Sequence, residues 1–95
     1  MTDSGESDGL ASRSVLLRLK EGLHIRPCSM IAKVAARAEG VVLESGGQSA
    51  DAASIFDLLA LALESGAEVV IRGPQAAAAQ IDEIADLFES DFPAK

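Results

Sequence analysis

The single histidine of the chain, His24, lies in a stretch of residues that suits chemistry on a phosphoryl group. It precedes Ile25-Arg26-Pro27, and a proline is tolerated in the first turn of a helix, where its missing N–H has no intrahelical partner. A helix is therefore expected to begin close to His24. Its unpaired N–H groups favour an anion, Arg26 is a fork-shaped donor for phosphate, and an imidazole nitrogen can act as nucleophile. The alternative is that His24 only caps the helix or lies exposed in a loop.

The helix that begins near His24 needs a strand before it and a clear end after it. An apolar run over residues 14–19 predicts the first strand. A helix over Ile25–Ala38 follows, with apolar residues at i, i+3, i+4 and i+7 that form one buried stripe, and Gly40 ends it. The stripe consists of Cys28, Ile31, Ala32 and Ala35.

Turn residues and apolar spacing also predict the second half of the chain. Gly46-Gly47 is a two-residue hairpin turn between strands at 41–44 and 48–51. Ser54 is typical of a helix N-cap and Gly66 of a helix end. The apolar stripes of the two remaining helices are Ile55, Leu58, Leu59 and Ala62, and then Ala77, Ile81, Ile84, Ala85 and Phe88.

Together these elements predict an α+β fold. Their order is β-α-β-β-α-β-α once a last strand at 67–72 and the closing helix are included. Helices that cover one face of a four-stranded, mainly antiparallel sheet make a two-layer open-faced sandwich. Residues 1–11 are rich in Ser, Gly and Asp and predict a flexible tail, so the domain is expected over residues 12–95.

The composition excludes several classes of function. The chain has 95 residues, a net charge of −7 and 48% apolar residues, which fits one domain with a packed core. Because Trp and Tyr are absent and only three Phe occur in this acidic chain, nucleic-acid binding is not expected. No apolar run reaches the ~20 residues of a membrane span, and the acidic N-terminus does not suit a signal peptide. We expect a cytoplasmic protein.

Neither a metal site nor a cofactor is expected. Cys28 is the only cysteine, so no internal disulfide can form, and we expect its side chain to fill the core as a small hydrophobe. His24 and Cys28 have the spacing of one helical turn, but two ligands are too few for a protein metal site.

The charge is distributed unevenly along the chain. Residues 13–40 carry six bases and two acids, a net +4, whereas residues 41–95 carry a net −8. A positive segment in an acidic protein is where an anion or an acidic partner would be steered. The alternative is a solvated basic helix face.

Three blocks of the sequence resemble HPr, the histidine phosphocarrier family of the bacterial sugar phosphotransferase system. Gly22-Leu23-His24-Ile25-Arg26-Pro27 is similar to the family's active-site motif, Ser54-Ile55-Phe56 to its regulatory serine and following apolar residues, and residues 45–50 to its hairpin. The similarity covers roughly residues 13–90. It implies the HPr fold and a carrier that takes a phosphoryl group from enzyme I and passes it to a IIA component.

The resemblance also implies roles for individual residues. His24 would be the phosphoryl acceptor at Nδ1, Arg26 would stabilise the transferred group, and Pro27 would hold the first helical turn. No metal or other cofactor is implied, and a monomer is. An apolar patch with a basic rim of Arg26, Lys33 and Arg37 would suit acidic partner surfaces, unless its members from the second helix are core residues. The candidate docking residues are Ile25, Ser29 and Lys33 on the first helix and Ile55 and Phe56 on the second.

Ser54 has two interpretations. As structure it is an N-cap; as function it matches the serine that HPr kinase/phosphorylase modifies in the family. Asp57 stands where family members commonly carry Lys, and its carboxylate would repel a phosphoserine. Since the family's serine is regulatory, the alternative to a transport carrier is a regulatory HPr-like protein, which acts by phosphorylation-dependent docking through His24 or Ser54. The carboxylate of Asp57 argues against the Ser54 version.

Overall fold

The computed structural model describes residues 9–93 and contains the expected strands and helices in the expected order. The strands are β1 (Leu10–Leu16), β2 (Val42–Ser45), β3 (Gln48–Asp51) and β4 (Glu68–Pro74). The helices are α1 (Ile25–Ala35), α2 (Ile55–Ala60) and α3 (Ala78–Glu89), and a 3₁₀ turn at Gln75–Ala77 leads into α3. The order β-α-β-β-α-β-α is therefore confirmed.

The four strands form one antiparallel sheet in the order β1-β4-β2-β3. Strand β4 shows why only one face is covered: Val69 and Ile71 are fully buried, whereas Glu68 before them and Arg72 after them are exposed and Val70 between them is partly exposed. This alternation is that of a sheet with one face on the core and one in water. The helices supply the other half of the core, including Ile31, Leu58, Ile81, Ile84 and Phe88, so the predicted open-faced α+β sandwich is confirmed.

The first strand begins and ends earlier than predicted. It spans Leu10–Leu16 because its seven residues pair continuously with β4, from Leu10 opposite Pro74 to Leu16 opposite Glu68. The apolar residues that suggested a later end are buried after the strand: Leu17 is fully buried and its carbonyl accepts from the N–H of Gly66. The expected tail over residues 1–11 therefore overlaps β1 at its last two positions, and residues 1–8 lie outside the described part of the chain.

Helix α1 buries the predicted stripe but ends three residues before the predicted Ala38. The N–H groups of Arg37 and Ala38 bond to carbonyls three residues back, not four, so the last turn tightens as 3₁₀ structure. Gly40 then adopts a left-handed φ of 79° and turns the chain into β2. The Gly46-Gly47 turn also has two positive φ values, 58° and 83°, as a tight hairpin of this type requires.

Helix α2 is shorter than its apolar stripe predicted. It ends at Ala60, and Ala62 takes a left-handed φ of 53° instead of continuing the helix. The prediction that Gly66 caps this helix is wrong, since Gly66 lies in the loop between α2 and β4. This loop turns inward, and the carbonyl of Leu63 accepts a hydrogen bond from the N–H of Leu23, 3.0 Å away. Helix α2 therefore ends before the predicted residue, and the loop that follows it contacts the loop that precedes α1.

Helix α3 is tied to the first strand by ion pairs. The guanidinium of Arg13 lies 2.9 Å from the carboxylate of Asp82 and 3.3 Å from that of Glu89. Just after β1, Arg18 bonds the carboxylate of Asp91 at 3.1 Å and the carbonyl of Glu89 at 2.6 Å. Two bases of the positive segment are thus used to hold the end of α3 beside the sheet.

Candidate functional site

His24 is the N-cap residue of α1, at the position where its flanking residues predicted the helix start. Its backbone is extended, with φ −118° and ψ −170°, and its carbonyl accepts the first helical bond from the N–H of Cys28 at 3.1 Å. Its side chain makes no capping hydrogen bond, and the residue is half-buried. The backbone of His24 therefore caps the helix, while the imidazole is left available for other chemistry.

The loop that leads to His24 is fixed by a glycine. Gly22 has a left-handed φ of 73° and lies against the backbone of Leu63, where a side chain would collide with the Leu63 carbonyl. Leu23, the next residue, is buried and donates its N–H to that same carbonyl. The approach to His24 is thus set by the loop after α2, which lies about forty positions further along the chain.

Arg26 and Pro27 occupy the first turn of α1, as the sequence predicted for Pro27. Pro27 is buried, so its ring packs against the protein while it fixes the turn. A terminal nitrogen of Arg26 (Nη1) donates to the backbone carbonyl of Phe92 at 2.8 Å and lies 3.5 Å from the sulfur of Met30. Sequence reasoning missed the part played by Phe92, because a backbone carbonyl carries no signature of residue type.

The predicted docking residues differ in how much of each side chain is exposed to solvent. Ile25 is 63% exposed and Phe56 is 84% exposed, although both are large and apolar. Ile55 is half-buried and packs against the core, so of the two residues on α2 only Phe56 is free of it. Ser29 donates its hydroxyl hydrogen to the carbonyl of Ile25 at 2.9 Å and is half-buried. Helices α1 and α2, which carry these residues, pack against each other.

The basic rim is smaller than the sequence suggested. Arg37 pairs with Glu83 of α3 at 2.6 Å, so its charge is offset within the protein. Lys33 is exposed, and within residues 9–93 it forms no ion pair. Arg26 donates to a neutral backbone carbonyl and not to a carboxylate. Of the three residues of the predicted rim, Arg26 and Lys33 thus form no ion pair within residues 9–93, whereas Arg37 does.

Ser54 is the N-cap of α2, as predicted. Its Oγ accepts a hydrogen bond from the N–H of Asp57 at 3.2 Å, and its backbone is extended. The carboxylate of Asp57 lies in the first turn of this six-residue helix, where it interacts favourably with the N-terminal helix dipole. The positive end of α2 is therefore already complemented by a negative charge next to Ser54.

Cys28 is fully buried on the inner face of α1, where it was expected to fill the core. Burial raises the pKa of its thiol to about 11, because removal from water penalises the thiolate. The thiol is therefore neutral at physiological pH. Among the described residues, no cluster of three or more His, Cys, Asp or Glu side chains could hold a metal ion. Nor does any helix within residues 9–93 have the length and apolar character that a membrane crossing needs.

Comparison with known protein families assigns the chain. Residues 11–90 match the model of the family described as the PTS HPr component phosphorylation site. The match covers both the His24 turn and the Ser54 cap. The chain therefore belongs to the HPr family of the phosphotransferase system.

Two relatives show the range of proteins to which the chain is similar. The phosphocarrier protein HPr of Borreliella burgdorferi is 28% identical over 85 residues, which cover 84% of this chain and 99% of the relative. The HPr-like protein Crh of Bacillus subtilis is 36% identical over 63 residues, which cover 65% of this chain and 74% of the relative. The chain is thus similar both to a protein described as a phosphocarrier and to one described only as HPr-like.

Solved structures show the same fold. The HPr protein of Thermoanaerobacter tengcongensis superposes with a TM-score of 0.80 at 23% identity, covering 90% of this chain and 98% of that structure. The histidine-containing phosphocarrier protein of Mycoplasma gives a TM-score of 0.75 at 23% identity, covering 90% and 100%. At these identities the structures establish the fold alone, and the family rests on the match over residues 11–90.

Proposed function

We propose that this protein is a phosphocarrier that accepts a phosphoryl group on His24 from phosphorylated enzyme I and passes it to a IIA component. The observation that carries the proposal is the state of His24. Its backbone caps α1 while its ring makes no capping bond, and a cationic Arg26 stands two residues further on. A nucleophile and a phosphate-binding group therefore share one helical turn in a chain of the HPr family.

The transfer step exchanges one phosphorus–nitrogen bond for another. The lone pair on Nδ1 of His24 attacks the phosphorus atom while the bond from phosphorus to the donor histidine breaks. The electron pair of that bond returns to the donor ring, and each ring keeps the hydrogen on its other nitrogen. Since both partners are imidazoles, the phosphoryl group keeps a high transfer potential and can move on to the next protein. This step requires neither a metal nor another cofactor on the carrier.

The surroundings of His24 support this step in two ways. The first-turn N–H groups of α1 and the guanidinium of Arg26 offer donors to the phosphoryl oxygens, which gain negative charge density as they transfer. Pro27 supplies no donor, but its fixed φ and its burial keep the turn in place. Arg26 is thus proposed as the electrostatic stabiliser and Pro27 as the rigid part of the site.

The docking surface is proposed to comprise Ile25 and Phe56, with Ile55 and Ser29 at its base and Lys33 at its edge. Ile25 and Phe56 are large, apolar and exposed, which is characteristic of residues that become buried in a complex. Arg26 and Lys33 add positive charge beside them. A partner with an apolar contact and an acidic rim fits this surface, and enzyme I and IIA would each use it in turn.

A regulatory role is the second candidate, and the similarity to the HPr-like protein Crh favours it. In that role the phosphorylated protein would dock to another protein without passing the group to a permease. Phosphorylation at His24 suits this version as well as it suits transport. The Ser54 version, through HPr kinase/phosphorylase, is less well supported, because Asp57 already places a carboxylate beside that hydroxyl.

The test uses phosphoenolpyruvate and purified enzyme I. We expect the intact mass of the wild-type protein to increase by one phosphoryl group, and the group to be lost in acid. His24→Ala should show no increase, whereas Ser54→Ala, the matched control, should gain the group as the wild type does. Absence of any increase with the enzyme I of the same organism would contradict the proposal. Transfer onward to IIA then separates the carrier from the regulatory candidate.

A further inference from the structure

The contact between Arg26 and Phe92 joins the His24 turn to the segment after α3. Arg26 Nη1 donates to the Phe92 carbonyl at 2.8 Å, and the two residues are 66 positions apart. Within residues 9–93, the remaining nitrogens of the guanidinium, Nε and Nη2, form no hydrogen bond to the protein. One corner of Arg26 is therefore held, while the edge that can bind phosphate oxygens in two-point fashion is left for a ligand.

The segment that presents this carbonyl has an unusual backbone. Asp91 and Phe92 both take left-handed φ values, 59° and 51°, although neither is a glycine. Such residues are disfavoured there and persist only where their surroundings hold them. We call this segment, residues 89–93, the C-terminal hook. Its shape turns the chain back from the end of α3 toward the first turn of α1.

Several contacts hold the C-terminal hook in this shape. The ring of Phe92 is fully buried and meets the ring of Phe88 edge-on, with 4.9 Å between the centroids. The N–H of Phe92 bonds the carbonyl of Leu87 at 2.8 Å. From the other side, Arg18 bonds both the Glu89 carbonyl and the Asp91 carboxylate. The C-terminal hook is thus held by the buried ring of Phe92 in the core and by the guanidinium of Arg18 at the surface.

We propose that Phe92 is a positioning residue for phosphoryl transfer at His24. Its buried ring fixes the backbone carbonyl, the carbonyl fixes Nη1 of Arg26, and the free edge of the guanidinium is thereby directed to the phosphoryl group. The inference rests on the proposed function, because it assigns Arg26 a phosphoryl ligand. It adds that the orientation of Arg26 depends on the C-terminal hook and not on α1 alone.

The contact with Arg26 is made by the backbone carbonyl of Phe92, which no substitution removes. Substitution can change only the side chain that holds this carbonyl in place. Phe92→Ala removes the anchor, so the left-handed backbone is no longer held and the carbonyl is free to move away from Arg26. Phe92→Leu keeps an apolar anchor and should largely preserve the contact. Neither change touches His24 or a residue of the docking surface.

A double-mutant cycle tests the proposal. The rate of His24 phosphorylation by phosphorylated enzyme I is measured for the wild type, Phe92→Ala, Arg26→Ala and the double variant. We expect Phe92→Ala to slow transfer by on the order of tenfold or more, because a misplacement of about 1 Å at a reacting site can cost on the order of a hundredfold. In the Arg26→Ala background the same substitution should change the rate by less than about twofold, since the residue that it positions is gone. Phe92→Leu should restore most of the rate.

A matched control separates positioning from loss of stability. Leu43→Ala removes a fully buried side chain from β2, which pairs with β3 and β4, and should leave the transfer rate of the folded protein nearly unchanged. Phe92→Ala with a normal rate, or with the same slowing in both backgrounds, would overturn the positioning role and leave the carrier role intact. A wild-type protein that enzyme I does not phosphorylate would overturn the carrier role, and this inference with it.

Discussion

Gly22 and Leu63 meet so closely that no side chain fits between them. A Cβ atom added to Gly22 would lie well under 3.0 Å from the carbonyl oxygen of Leu63, a separation that real Cβ contacts do not show. The carbonyl cannot retreat easily, since it accepts the N–H of Leu23 at 3.0 Å. The glycine of the histidine motif is therefore required by a backbone-to-backbone contact as well as by its φ of 73°.

Replacement of this glycine should destabilise the whole protein. We expect Gly22→Ala to lower the free energy of unfolding by about 2–4 kcal/mol, because it adds a steric clash to the cost of a left-handed alanine. Gly46→Ala is the control: Gly46 also has a positive φ, 58°, but nothing lies within 4 Å of an added Cβ. It should cost only about 1 kcal/mol. Equal losses for the two variants in urea unfolding would contradict the contact argument.

The hydroxyl of Ser54 should contribute to stability whether or not it is ever phosphorylated. Ser54→Ala removes the acceptor for the N–H of Asp57 and should cost about 1 kcal/mol of unfolding free energy. Ser54→Asn, which caps equally well, should stay close to the wild type. Thermal or urea unfolding measures both. If the alanine variant were as stable as the asparagine variant, the cap would have no energetic role.

The buried thiol of Cys28 should make stability depend on alkaline pH. Its pKa is raised from 9.0 to about 11 in the folded protein, so between these values the folded state holds a proton that the unfolded state has lost. The stabilisation by the neutral thiol is therefore complete below pH 9.0 and is lost as pH rises through about 11. Urea unfolding should show a steeper loss of stability over this range in the wild type than in Cys28→Ala. Parallel profiles would mean that Cys28 does not titrate in this way.

Phe56 should matter for partners and not for stability. Because its side chain is 84% exposed, Phe56→Ala should change the free energy of unfolding by less than about 0.5 kcal/mol. Leu58→Ala, two residues further along α2, removes a fully buried side chain and should cost about 2–5 kcal/mol. In phosphoryl transfer from enzyme I, Phe56→Ala should raise KM on the order of tenfold with little change in kcat. An unchanged KM would remove Phe56 from the docking surface.

The local signals in the sequence were sufficient for most of the fold. Pro27 marked the start of α1, because its fixed φ and missing N–H suit the first turn of a helix. The Gly46-Gly47 turn marked the β2–β3 hairpin, because glycine readily adopts the positive φ values that a two-residue turn needs. The stripe of the closing helix was equally clear, since its five residues are all buried, although Ala77 lies in the 3₁₀ turn and only the other four in α3. The family resemblance implied the same order; the structure confirms the order, and the family match confirms the resemblance.

The remaining differences have tertiary causes. The apolar stripe of α2 pointed to a helix that continues through Ala62, but the loop after Ala60 turns inward so that Leu63 can bond Leu23. Nor could residue types reveal that Phe92 holds Arg26, since that bond is made by a backbone carbonyl across 66 positions. Contacts of this kind depend on the assembled fold and leave no periodic pattern in the chain.

The pairing of β1 with β4 determines when the protein can fold during its synthesis on the ribosome. Leu16 meets Glu68 and Leu10 meets Pro74, so the first strand has no partner while the first half of the chain is emerging from the ribosome. The His24 turn is translated early, but its braces at Leu63 and Phe92 follow much later. Closing such long loops is slow relative to local helix formation. A ribosome-bound fragment that ends before β4 should therefore be a poor substrate for enzyme I, and competence should be acquired in one late step.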